Sequence, residues 1–379
     1  MIDKDRLILE FENLVKIESP SRKEGAIAHY VADIFEALGY KCFFDKSAEA
    51  TGSEVGNLIV KIPGSVPSSP LFFCAHLDTV GPCENPKVIF EDGIFRTDGR
   101  TILGADDKAA IAILIEVAKI LKENALPHPP IEYIFTTCEE IGLLGTKSLD
   151  ASLVDSREGF VLDSENPWEV INGAPSSYRF ELKVKGISAH AGLEPEKGVN
   201  AIHALSQVIS SLPTGRIDEE TTMNIGVIRG GNFVNIVPDE AVAEGEIRSH
   251  QEFKLEELQK LIIERAKKII EEYSLKREGF PKLFHHFEKI YSAFYIPPED
   301  ELCQLVKKAG EKIGLNMVFR RKEGASDANV FNEKGFKCLI LGIGMQKVHT
   351  TEEYIALKDM IITTNLILEI LRIKSESVE

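Results

Sequence analysis

Apolar residues recur at helical spacing over residues 5–15 (Leu7, Ile8, Phe11, Leu14, Val15) and 24–38 (Ile27, Ala28, Val31, Ile34, Phe35, Leu38). Ser19-Pro20-Ser21 breaks the first pattern and Gly39 stops the second, so two helices are predicted. Strands rich in apolar residues follow at 41–44, 57–62, 131–137 and 159–162, and the stretch 71–80 opens on an apolar run that ends at His76 and Asp78, with a loop and strand at 87–95 and a strongly apolar helix over 111–121. Strands without polar alternation are covered on both faces, which predicts an α/β fold with a mostly parallel central sheet.

The texture changes near Ser176. Residues 178–184 alternate like a half-exposed strand, 200–212 form an amphipathic helix capped by Asn200 and stopped by Pro213, and strands are predicted at 223–228 and 241–247. A long charged helix over 253–273 and a strand near 283–291 complete the order strand, helix, strand, strand, helix, strand, which is the ferredoxin-like α+β arrangement. The charge run at 256–272 reads as the solvated face of that helix. Past Pro297-Pro298 the α/β pattern resumes, with helices at 299–313 and 355–371 around an apolar strand at 338–341. One domain in two parts, 1–175 and 293–379, is thus interrupted by an inserted domain at 176–292.

Composition narrows the possible partners. With 379 residues and 44% hydrophobic content the chain is long enough for more than one core. Its formal net charge of −16 argues against nucleic acid or an anionic membrane as partner, since both select for clustered Lys and Arg. Six cysteines (Cys42, Cys74, Cys83, Cys138, Cys303, Cys338) are scattered without a CxxC pair, which predicts reduced thiols and a cytoplasmic protein. The N-terminus, MIDKDRLILEF, has no uninterrupted apolar core, so neither a signal peptide nor a membrane span is expected.

The candidate chemistry gathers where strands end. His76 and Asp78 close the run LFFCAHLDTV, and residues two apart on a strand share a face, so the pair reads as a metal ligand with the carboxylate that orients it, or as a plain hydrogen-bonded pair. Asp106 and Asp107 follow Gly104 at the start of the apolar helix, where one of them serves as an N-cap and the second exceeds what capping needs. The run 131–137 leads into Cys138-Glu139-Glu140, and 159–162 into Asp163. Ligands bind open α/β sheets at the carboxyl ends of strands. Burying so many carboxylates together destabilises the fold unless cations neutralise them, so coordinated metal is the economical reading. A further imidazole, His349, lies in the loop before the last helix.

Six motifs in this order, HLDTV, GADDK, TCEEIG, VLDSE, GISAHAG and VHTTEEY, closely resemble the co-catalytic zinc exopeptidases that include carboxypeptidase G, acetylornithine deacetylase and peptidase T. The wording GADDKAA and TCEEIGLLG is most similar to the peptidase T branch. The resemblance covers essentially the whole chain. It implies a zinc-exopeptidase catalytic domain interrupted by a ferredoxin-like lid and dimerisation domain. It also implies two divalent ions per chain, Zn²⁺ by the family pattern, with Asp106 bridging them, His76 and Asp163 completing one and Glu140 and His349 the other. Imidazole and carboxylate suit Zn²⁺. Asp78 would orient His76, Glu139 would be the general base, and Asp107 is given a structural role after a peptide bond that is typically cis in the family.

His190, in a Gly/Ser/Ala-rich loop of the inserted domain, is by the same resemblance an oxyanion stabiliser reaching across a homodimer formed through that domain. Asn235 and Arg248 match positions that hold the substrate's polar ends, though Arg248 reads equally as a strand salt bridge. Gly324, Ser326 and Asp327 resemble the family's substrate loop, and a glycine-rich turn needs no ligand. The expected activity is hydrolysis of short peptides such as tripeptides from the amino end. The alternatives are an amidohydrolase of N-acyl amino acids with the same metal core, and an inactive metal- or peptide-binding relative. The presence of Glu139 and all five ligands speaks against the last.

Overall fold

The computed structural model describes residues 2–274 and 279–376. They divide into two compact units, one made of Met1–Gly173 with Tyr295–Glu379 and the other of Ala174–Phe294.

The first unit is built on a mixed sheet whose four central strands, Ile131–Thr136, Leu71–His76, Glu158–Val161 and Lys337–Leu341, lie in that spatial order and run parallel. All six residues of Leu71–His76 and of Ile131–Thr136 are buried, as expected for strands covered on both faces. Phe73 stacks on Phe160 at 5.4 Å between ring centroids, and Tyr133 meets Phe35 of the helix Gly25–Ala37 edge-on. Antiparallel strands flank this core: Leu58–Ile62 with Lys41–Phe44 on one side, Glu169–Ala174 on the other.

The apolar pattern does not show the strand Glu169–Ala174 or its parallel neighbour Val318–Arg321. The polar Asn172-Gly173 and the arginines of VFRR interrupt any apolar run, and pairing at the flank of an existing sheet supplies what periodicity does not. The helix Ala105–Glu123 is buried around nearly its whole circumference, which fits the unbroken apolar run of residues 109–115. It begins six residues earlier than the pattern predicts, with non-helical backbone at Asp106 and Asp107. Among the described residues no helix is long and apolar enough to cross a membrane.

The second unit has the expected strand and helix order. Ser176–Lys185, Thr221–Gly230, Glu240–Ser249 and Lys282–Tyr291 form an antiparallel sheet, with Glu240–Ser249 and Lys282–Tyr291 on either side of Ser176–Lys185. Phe180, Leu182 and Val184 point into one core with Leu205 and Val208 of the helix Ala201–Ser211 and Ile262 and Ala266 of the helix Glu252–Ser274. Asn200 caps the shorter helix, its side chain accepting from the His203 amide at 2.9 Å. Leu182 is completely buried at the centre of that core. Leu182→Ala should therefore cost about 2–5 kcal/mol, as large-to-small changes in a packed core do, read as a lowered urea midpoint with unchanged slope.

Candidate active site

Four parallel strands deliver their following loops to one edge of the first unit's sheet. His76 is the last residue of its strand, Glu139 and Glu140 follow Ile131–Thr136, Asp163 follows Glu158–Val161, and His349 lies beyond Lys337–Leu341. Asp106 comes to the same place from the start of the long buried helix.

Asp106 stands between two imidazoles. Its Oδ1 lies 2.9 Å from His76 Nε2 and its Oδ2 lies 3.2 Å from His349 Nε2. His349 Nε2 is also 3.0 Å from Glu140 Oε1. His76, Asp106 and Glu140 each offer a donor atom within 4.8 Å of the other two, a mixed imidazole and carboxylate set of the kind that holds Zn²⁺. Burial alone would raise the Asp106 pKa, but the hydrogen bonds from His349 and His76 outweigh it and hold the carboxyl well below the usual range. The same bonds push His349 up to about 10, Asp106 contributing first and Glu140 next. Asp163 makes no bond to these groups, yet burial and the charge of Asp106 raise it to about 8. Glu139 is pushed well above a free glutamate by burial, with Asp163, Asp327 and Glu140 adding to the effect and His76 opposing it. A carboxylate with raised proton affinity beside a ligand cluster suits a general base.

Asp78 departs from the arrangement that strand periodicity suggested. The strand stops at His76, so the two-residue face rule no longer applies, and His76 Nδ1 lies 2.8 Å from the Asp78 backbone oxygen but 3.7 Å from its carboxylate. The carboxylate instead accepts from the amides of Glu139 at 2.9 Å and Glu140 at 3.2 Å, and from the Ser21 hydroxyl at 2.6 Å. It fastens the turn that carries both glutamates. Asp107 follows a cis peptide bond and is fully buried, with Oδ2 accepting from the His76 amide at 3.2 Å.

Three contributors were not singled out from sequence. Glu24, buried, accepts from the Cys138 amide at 3.0 Å and steadies the same turn. Lys322 pairs with Glu165 at 3.1 Å, and the nearby charges of Asp163 and Glu165 outweigh the lowering effect of burial on its pKa. Glu353 binds the backbone ahead of Asp106. Charged residues in acidic loops carry no sequence mark of which are buried.

The substrate-loop residues sit differently from a simple binding loop. Asp327 is 1% exposed, and its carboxylate accepts from the hydroxyls of Thr136 and Thr146. Ser326 caps the helix Asp327–Glu333, accepting from the Ala328 amide at 3.2 Å. Gly324 has open space where a Cβ would go, so packing does not demand glycine there.

In the second unit, His190 is exposed and belongs to a short strand paired with Ile236–Val237. Its Nδ1 accepts from the amides of Gly192 and Leu193, both at 3.2 Å. A neutral ring bonded this way carries its hydrogen on Nε2, which leaves a donor facing outward. Asn235 is exposed, its carbonyl accepting from the Ala191 amide, and Arg248 pairs with Glu246 at 3.0 Å.

The α/β unit with this loop edge is interrupted by a ferredoxin-like insertion, and both parts match models of peptidase families. The family model for a peptidase dimerisation domain matches residues 172–274, and that of peptidase family M28 matches residues 57–160. The structure of aminopeptidase PepT from Bacillus cereus is similar at 35% identity and a TM-score of 0.91, covering 99% of this chain and 100% of that one. A tripeptidase from Staphylococcus aureus is similar at 33% identity and a TM-score of 0.93, with both chains covered in full (100% of each). The uncharacterized protein YqjE of Bacillus subtilis is 37% identical over 98% of this chain and 99% of its own length. The chain belongs to the M20 family of peptidases.

Proposed function

We propose that this chain is a two-ion metallopeptidase that cleaves short peptides, tripeptides among them, from the amino end, with zinc as the natural ion. The observation that carries the reading is Asp106, whose two oxygens each face a different histidine, as a carboxylate shared between two ions must. In this reading His76, Asp106 and Asp163 would hold one ion, and Asp106, Glu140 and His349 would hold the other. When bound, such a pair supplies Lewis-acid polarisation of the scissile carbonyl and an acidified water.

The residues do the rest. Glu139 takes the proton of the attacking water and passes it to the departing amine, a transfer its raised proton affinity favours. Asp78 and Glu24 hold the turn that aims it. His190 donates from Nε2 to the developing oxyanion. Asn235 and Arg248 take the polar ends of the peptide, with Gly324 at the loop rim. Ser326 and Asp327 shape that loop from behind rather than touching substrate. The similarity to an aminopeptidase and a tripeptidase over their whole lengths supports the substrate class. Cytoplasmic residence agrees with six free cysteines.

Free tripeptides and N-acetylated amino acids offered side by side, with zinc present, test the activity. Release of the amino-terminal residue from tripeptides is expected. Turnover confined to the acetylated compounds would instead make the chain a deacylase.

The dimerisation-domain match supports a homodimer, and His190 is taken to serve the site of the partner subunit. A Glu139→Ala chain and a His190→Ala chain, each inactive alone, are then unfolded and reassembled together. Random pairing makes half the dimers mixed, each with one whole site, so about a quarter of wild-type activity should return. If His190 serves its own chain, mixing recovers nothing.

A further inference from the structure

Glu353 is 1% exposed and stands four residues after His349, in the loop that supplies that imidazole. Its carboxylate is spent wholly on another loop, about 250 residues earlier. Oε2 accepts from the amides of Leu103 at 2.8 Å and Gly104 at 2.7 Å, and Oε1 accepts from the amide of Asp106 at 3.0 Å. The neighbouring Glu352 is exposed and pairs with Lys347. Three backbone amides converging on one buried carboxylate is more than packing requires, because a buried apolar side chain of similar volume would fill the space without ordering the loop. Gly104 has φ +72 and Asp106 is non-helical, so the backbone there departs from the helix it introduces and needs outside partners for its amides.

We infer that Glu353 is a positioning residue that sets Asp106 and His349 in register, so that the shared carboxylate meets both ions. The inference rests on the proposed role of Asp106 as the shared ligand. Groups behind a ligand that are hydrogen-bonded to it or its backbone commonly change metal affinity by 10–100-fold when lost. The Glu353→Gln side chain keeps the shape and one accepting oxygen. Its amide group must face an amide donor of the loop, so either the Leu103–Gly104 pair or the Asp106 bond is lost.

The test measures zinc binding by calorimetry in wild type, in Glu353→Gln and in a control, Glu132→Gln. Glu132 is likewise buried and accepts the amides of Asp155 and Ser156, at the start rather than the finish of its strand. The expected result is two zinc ions per wild-type and control chain, and a loss of at least about tenfold in affinity for at least one ion in Glu353→Gln. In the same variant kcat should fall while KM changes little. Wild-type affinity for both ions in Glu353→Gln would overturn the inference while leaving the metal reading intact, whereas a wild type that binds no zinc would overturn the metal reading itself. A measurement on the metal-free wild type decides the matter even if the variant fails to fold. Hydrogen exchange at Leu103, Gly104 and Asp106 should be slow before zinc is added, and exchange at the rate of an open loop would contradict a preset register.

Discussion

Asp106→Asn should reduce the protein to the activity of a chelated wild type. The substitution is nearly isosteric, so the buried helix that follows keeps its packing, but an amide presents one accepting oxygen where the carboxylate presents two. In the structure both oxygens are committed, one toward His76 and one toward His349. Losing either would break the proposed sharing between ions, and losing the negative charge leaves the two imidazoles without the carboxylate that stands between them. Zinc content should fall below two per chain together with activity. An asparagine variant that holds two ions and turns over peptide would show that Asp106 is not the shared ligand.

Glu139→Gln should behave differently, and the contrast separates ligand from base. Glutamine keeps the size of the side chain and its position on the turn fastened by Asp78 and Glu24, but it cannot accept the proton of the attacking water. A fall in kcat of about 10³-fold is expected, within the range for losing a general base. Zinc content should remain at the wild-type value, since Glu139 makes no bond to His76 or His349 of the proposed ligand set. Retained turnover would remove Glu139 from the chemistry. Loss of zinc in this variant would make it a ligand instead.

The two variants rest on residues that the sequence marks clearly, and the reason is topological. A buried parallel strand is read from its apolar run, and the first polar group after it must emerge at the carboxyl edge of the sheet. His76, Glu139, Glu140 and Asp163 are therefore legible as a set from the sequence. The ferredoxin-like insertion was legible for a related reason, since Phe180, Leu182 and Val184 alternate with Arg179, Glu181 and Lys183 along a strand with one wet face. What resisted reading was everything that depends on where a strand stops or on which of two like residues is buried. Asp78 lies two residues past the end of its strand, and its carboxylate, 3.7 Å from His76 Nδ1, also holds the Glu139–Glu140 turn. Glu352 and Glu353 are chemically identical in sequence, yet one pairs with Lys347 at the surface and the other is buried against the Asp106 loop. Asp327, which the resemblance places in the substrate loop, is buried, with Thr136 and Thr146 drawing its carboxylate inward.

Elemental analysis of catalytically active protein, purified without chelator, addresses the two-ion reading without any substitution. Two divalent ions per chain are expected, with activity lost on chelation and restored when zinc returns. One ion per chain, or none, in fully active protein would contradict a mechanism built on a carboxylate shared between two ions.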